Sequence, residues 1–260
     1  MFNNLLKKNK KHVFKKDFEK LLTEQSPFSV KEAYSSVRAN LLFVGNGNEC
    51  TTIAFTSASE NSGKTLTSIN LAISFTQMGK KVLLIDSDMR NPSVNRGLSI
   101  KNDVGLSEVL AGITTEIPII KTKYENLYVL PAGKTPPNPA ELLLSKRFDK
   151  LRTACEPNFD FIFIDTPPVG VVADALPLTK KVDGFVFIVR AGVENKHIVK
   201  DAIDEITRLE GKVLGMILND VNSKTQGYKG NYGRYGYGYG YGYGKYGKYG
   251  SKYNSDNQSE

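Results

Sequence analysis

Three short stretches hold residues that could handle a phosphate and a metal ion. The first, ASENSGKT at residues 58–65, runs straight into the helical pattern LTSINLAISF. A turn whose backbone N–H groups converge at a helix N-terminus is a phosphate cradle. Gly63 would let the backbone approach closely, Lys64 would reach the β- and γ-phosphates of ATP, and the Thr65 hydroxyl would ligate Mg²⁺. Ser59, Glu60, Asn61 and Ser62 complete the loop, with Ala58 where the first glycine usually stands. The second stretch, VLLID, ends in Asp86 and is followed by Ser87, Asp88, Met89 and Arg90. Two carboxylates leaving a buried strand are costly unless they bind something, and a hydrated Mg²⁺ on ATP suits them. The third, FIFID, ends in Asp165 ahead of Thr166, Pro167 and Pro168. It supplies the second acidic group expected across from a phosphate loop, with prolines stiffening the turn. Each stretch alone is also compatible with a plain strand–turn–helix or a solvated acidic loop.

The surrounding pattern says how such residues could meet. Short β-branched or aromatic runs occur at 52–57, 81–86, 127–131, 159–165, 184–189 and 212–219. Helical periods fall at 64–78, around 105–111, and at 139–155, 173–180 and 195–210. Several runs are apolar at consecutive positions, as strands buried on both faces are. The alternation predicts an α/β fold of the P-loop NTPase type, a mostly parallel sheet with helices on both faces. Ligands of such sheets sit beyond the carboxyl ends of the strands, which is where all three motifs lie. A GNG at 45–47 precedes its strand instead of following it, so it is not a dinucleotide loop.

The expected organisation is a basic N-terminal arm (1–27), one domain (28–221) and a disordered Tyr/Gly-rich tail (222–260). The tail contains Tyr228, Tyr232, Tyr235, Tyr237, Tyr239, Tyr241, Tyr243, Tyr246, Tyr249 and Tyr253, ten of the chain's 13 tyrosines. Glycines separate them, and Gly-rich segments lose too much backbone entropy on ordering to form a core. As a coil the tail would span on the order of 35 Å, enough to reach its own site or a neighbour's. The net charge of +8 divides as +5 in residues 1–20, +4 in 222–260 and −1 between. A near-neutral domain with basic ends argues against nucleic acid and for flexible arms touching an anionic membrane face. Cys50 and Cys155 have no metal spacing and read as reduced thiols. His12 and His197 have no partner pattern. No apolar stretch approaches a membrane span, and the lysine-rich start lacks a signal peptide's apolar region.

With ASENSGKT, VLLIDSDMR and FIFIDTPP in this order before a tyrosine-rich tail, the chain resembles the bacterial tyrosine kinases of capsule and exopolysaccharide synthesis. It looks most like their Gram-positive form, in which the kinase is a separate cytosolic chain. The resemblance implies ATP and Mg²⁺ as cofactors and Lys64 and Thr65 as phosphate-loop lysine and metal ligand. It further implies Asp86 as base for the incoming tyrosine, Asp88 and Asp165 as holders of Mg²⁺ through its waters, and the tail tyrosines as autophosphorylation sites. It implies a membrane activator of the chain-length-regulator type, a homo-oligomeric ring and a phosphotyrosine phosphatase. The protein would then lie in the cytoplasm, peripheral to the inner face of the membrane. The ring-forming helix of that family usually reads Glu-x-x-Arg-x-x-Arg. EAYSSVR keeps Glu32 and Arg38 but has Ser35 at the middle arginine, which removes a possible bidentate pair across an interface.

Two other functions fit parts of the pattern. A partition or positioning ATPase shares the fold and aspartates, but its signature lysine would stand at Ser59 and the tail would have no purpose. An ATP-switched scaffold could use Tyr-Gly repeats to self-associate through stacking and cation–π contacts.

Overall fold

Seven strands form one sheet: β1 (Thr51–Ser57), β2 (Val82–Asp86), β3 (Ile120–Lys121), β4 (Leu127–Leu130), β5 (Phe161–Asp165), β6 (Gly184–Arg190) and β7 (Val213–Asn219). The computed structural model describes residues 19–44 and 50–221. The tail tyrosines, His12, the GNG and most of the basic arm lie outside the described residues. The strand order is β3-β4-β2-β5-β1-β6-β7, and every pair is parallel except β3 with β4. This is the expected P-loop NTPase-like architecture. β3 is two residues long, too short to leave a periodic signal.

Alternation along the central strands splits the core into two layers. Ala54, Leu83, Ile85, Ile162 and Ile164 face one side, packing with Phe148, Leu151, Val199 and Ile206 from the helices Lys146–Cys155 and Lys196–Arg208. Ile53, Phe55, Leu84, Phe161 and Phe163 face the other, against Ile69, Ile73 and Phe75 of the helix Lys64–Thr76. Phe75 sits edge-on to Phe161 and Phe163, at centroid distances of 4.6 and 5.2 Å, an arrangement aromatic pairs prefer. β7 departs from the buried pattern: as the edge strand it leaves Met216 and Leu218 exposed.

Two helical expectations change. The stretch 139–155 is two helices, Pro139–Leu144 and Lys146–Cys155, separated by an extended Ser145. Lys181 Nζ donates to the carbonyls of Leu144 and Ser145 at 3.0 and 3.1 Å, and the Ser145 carbonyl also accepts the Phe148 N–H at 3.1 Å. The stretch 173–180 forms a 3₁₀ helix, Ala173–Leu178, because Pro177 has no N–H to donate. A five-residue helix, Val94–Leu98, follows the DSD motif and carries too few residues for a period to be read. Both cysteines are free. Among the described residues no helix is long and apolar enough to cross a membrane.

The helix Lys64–Thr76 is buried almost all round because the helix Phe28–Leu41 and the segment before it cover its outer side. Leu21 and Leu22, assigned by sequence to the arm, are buried there. Asn70, 1% exposed, is the pin: its Oδ1 accepts the Leu22 N–H at 2.8 Å. Its Nδ2 donates to Lys20 O at 3.2 Å and to the Tyr34 hydroxyl at 3.1 Å. Arg38 Nη1 donates to Ser74 O and Oγ at 2.5 and 2.9 Å, satisfying a carbonyl in the last turn of that helix. Replacing Asn70 by Ala strands a buried N–H, so Asn70→Ala is expected to cost about 1–3 kcal/mol of unfolding free energy. Denaturant titration checks the size. Amide exchange should quicken at Leu22 before it quickens in the sheet.

Candidate active site

The register of the parallel strands brings the acidic motifs together. Asp86 at the end of β2 lies beside Asp165 at the end of β5, and Asp165 is in register with Phe55 on β1. The phosphate loop leaves β1 two residues later. It turns through Asn61 at φ 60° and Gly63 at φ 88° into the helix that starts at Lys64. At Gly63 a side chain is excluded twice over, since a Cβ there would lie 2.1 Å from Asn219 Nδ2. The loop is braced from within: Ser57 Oγ and Ser62 Oγ lie 2.8 and 2.7 Å from Ser59 O. It is braced from β6 and β7 by Glu194, whose Oε1 is 2.6 Å from Ser62 Oγ, and by Asn219 Nδ2, which donates to Ser62 O at 2.9 Å.

A cavity of about 1440 Å³ opens over these strand ends. Glu60, Asn61, Gly63, Lys64, Thr65 and Asp88 line it, whereas the Ser62 side chain is buried and braces the loop at the Ser59 carbonyl. Lys64 Nζ pairs with Asp88 Oδ2 at 3.1 Å, both side chains nearly out of solvent. Burial pulls the lysine's pKa down, but Asp165 and Asp88 outweigh it and hold the ammonium above its ordinary value. Thr65 Oγ1 donates to Asp165 Oδ2 at 2.7 Å and lies 2.9 Å from Ser93 Oγ, whose hydroxyl can donate back to it.

The three aspartates do different things. Asp86 is fully buried and does not line the cavity. Its Oδ2 accepts the N–H groups of Ser93 and Val94 at 3.1 and 3.0 Å, and its Oδ1 that of Asp88 at 3.2 Å. Burial first, then the charges of Asp165 and Asp88, push its pKa up to about 8. Asp88 faces the cavity, with Oδ1 also accepting the Asn91 N–H at 3.0 Å. Asp165 Oδ1 is buried with no hydrogen-bond partner among the described residues, and burial raises this carboxyl's pKa as well. A buried carboxylate oxygen without a donor is costly. A hard cation removes that cost, and Thr65, Asp88 and Asp165 are the oxygen donors it would meet. Among the described residues no cluster of three or more His, Cys, Asp or Glu side chains forms a ready-made cage.

Other residues of the site escaped the sequence reading. Arg90 forms a bidentate pair with Asp174, Nε to Oδ2 at 2.5 Å and Nη2 to Oδ1 at 3.0 Å. Arg190, Asn219 and Asp220 line the far end of the cavity. Asn219 stands at a strand's carboxyl end, and that position was the available signal. Arg90 and Asp174 are 84 residues apart, and nothing local pairs them. Glu32 is exposed, whereas Arg38 is spent within the chain on Ser74. His197 is an exposed residue in the first turn of its helix.

The AAA domain family matches residues 50–180. The tyrosine-protein kinase CpsD of Streptococcus agalactiae is 39% identical over 208 residues, 79% of this chain and 90% of the relative. The crystal structure of the chimerical protein CapA2B2 agrees with a TM-score of 0.69 at 36% identity, over 75% of this chain and 85% of the other. The kinase domain of the Escherichia coli tyrosine kinase ETK agrees with a TM-score of 0.72 at 30% identity, over 80% and 85%. A likeness this long to kinases, on a site where loop, lysine and strand-end aspartates converge, means that the chain is a tyrosine-protein kinase and belongs to the bacterial family of capsule and exopolysaccharide synthesis.

Proposed function

We propose that the chain binds Mg²⁺·ATP in this cavity and phosphorylates the cluster from Tyr228 to Tyr253 of its own kind, mainly in trans, thereby regulating polymerisation and export of a capsular or exopolysaccharide. The observation that carries the nucleotide reading is the unpartnered Asp165 Oδ1 buried beside Thr65 and the phosphate loop. Phosphoryl transfer asks mainly for alignment and charge neutralisation. Lys64 supplies fixed positive charge where the transferring group would lie. Thr65, Asp88 and Asp165 would hold Mg²⁺, which screens the phosphate charge. Asp86 is the proposed acceptor of the phenol's proton. Its carboxylate is sealed behind Asp88, so that role needs the loop to shift when nucleotide and acceptor bind, as catalytic geometry often tightens only in the complex.

The family likeness supports the wider reading. It includes a membrane activator of the chain-length-regulator type, a homo-oligomer and a phosphotyrosine phosphatase, at the cytoplasmic face of the membrane. The helix Phe28–Leu41 exposes Phe28 and Glu32. In an oligomer Glu32 would meet the neighbour, while Arg38 fixes the helix on its own domain.

The decisive experiment is incubation with labelled ATP and Mg²⁺, followed by phosphoamino-acid analysis. Label on tyrosine supports the reading, and free phosphate alone sinks it. In the same assay Lys64→Met should lower transfer by about a hundredfold or more, with its circular dichroism unchanged. Asp88→Asn should raise the Mg²⁺ concentration needed for half-maximal rate. Asp86→Asn should slow transfer even at saturating Mg²⁺, because an amide cannot take up the phenol's proton. Identical Mg²⁺ responses would refute this division. For the trans claim, a chain lacking 222–260 is mixed with full-length Lys64→Met. Label should appear on the inactive chain's tail, and an unlabelled tail would contradict it.

A further inference from the structure

The geometry points to a subsite for the acceptor tyrosine formed by Arg90, Pro168, Val171 and Val172. It rests on the kinase reading above and says where on this chain the phenol is held. The sheet order gives the cavity two ends. The phosphate loop follows β1, with β6 and β7 on one side and β5 and β2 on the other. Asn219 and Arg190 line the first end. Lys64, Thr65 and the aspartates that would meet the metal and the terminal phosphate crowd toward the second. An acceptor attacking in line must approach from that second end, past the loops that follow β5 and β2.

Those two loops form a prepared wall. The β5 loop is tied to the end of β1, where the phosphate loop begins, by the Val169 N–H to Ser57 O at 2.9 Å and by Thr56 Oγ1 to Pro167 O at 3.0 Å. Gly170 is pressed so closely against Ala58 that a Cβ would lie 2.4 Å from Ala58 O. The N–H groups of Val171 and Val172 both turn back to Pro168 O at 3.1 Å. On a loop this constrained, Val171 nevertheless leaves 55% of its surface exposed, and it lines the cavity with Pro168 and Val172. An aromatic ring is the acceptor group that such an aliphatic wall favours.

Arg90 adds the polar part. Asp174, 3% exposed at its side chain, holds the guanidinium through Nε and Nη2, while the arginine side chain stays half exposed at 50%. It lines the same cavity, two residues beyond Asp88. The half-exposed guanidinium is the group the acceptor would meet, where a fixed cation stabilises a phenol losing its proton and attracts a ring face. A serine or threonine hydroxyl would gain neither the ring packing nor that effect on a phenolate.

The test uses the full chain, saturating Mg²⁺·ATP and a free Gly-Tyr repeat peptide as acceptor. Val171→Ser is the first variant, since an exposed side chain can change without disturbing the core. It should raise KM for the peptide about tenfold through lost apolar contact, while Kd for Mg²⁺·ATP stays the same and Val171→Ile restores KM. Arg90→Lys should also raise KM for the peptide, because an ammonium cannot reproduce the bidentate pair. An unchanged peptide KM in Val171→Ser overturns the subsite while leaving the kinase reading intact. A wild-type chain that labels no tyrosine at all overturns the kinase reading, and the subsite with it.

Discussion

The site is organised around acidic groups that cannot avoid one another. Parallel pairing of β2 with β5 fixes Asp86 opposite Asp165 at the same level of the sheet, and both are fully buried. Burial strips both of hydration and raises both pKa values, with repulsion from Asp165 and Asp88 adding to the shift at Asp86 and repulsion from Asp88 adding to it at Asp165. The structure answers with fixed donors around Asp86 and with the Lys64 ammonium on Asp88. It leaves one oxygen of Asp165 without a donor among the described residues. That oxygen is buried beside Thr65, which lines the cavity.

Holding such a group of charges requires rigid surroundings. Each loop bearing a functional residue is fastened to another loop instead of being left to its own sequence. Glu194 and Asn219 reach the phosphate loop from the β6 and β7 side. Asp174 holds Arg90, and so ties the loop after β2 to the loop after β5. Ser87, between the two acidic residues of the DSD motif, bonds to the Asp165 carbonyl through both its N–H and its hydroxyl, at 2.8 and 2.9 Å. Preorganised dipoles and charges of this kind do not have to reorganise during reaction.

The helix that begins at Lys64 gains its burial from an unexpected source. It is apolar on too many sides to be a surface helix, and the helix Phe28–Leu41 with Leu21 and Leu22 covers it. Arg38 is therefore a structural residue of this chain through its bonds to Ser74, whatever else its helix meets. A shift of that outer helix would act directly on the helix whose N-terminus bears the phosphate loop. Packing links the covering segment to the site.

The sequence by itself determined the β-α-β order, the positions of the three motifs after their strands, and the identity of Lys64, Thr65, Asp86, Asp88 and Asp165 as the residues to watch. Those are local facts, because strand and helix periods and a glycine-lysine-threonine turn are written in adjacent residues. Short elements were not legible: β3 and the helix Val94–Leu98 have too few residues to show a period, and they form because neighbours pair with them. The split at Ser145 is supported by Lys181, 36 residues away, which adds a second donor to its carbonyl. Only the tertiary structure decided which aspartate faces the cavity, that Asp174 holds Arg90, and that Asn219 bars a side chain at Gly63. Each of these depends on strand order and register, which bring together residues far apart in the chain, and no local pattern encodes that distance.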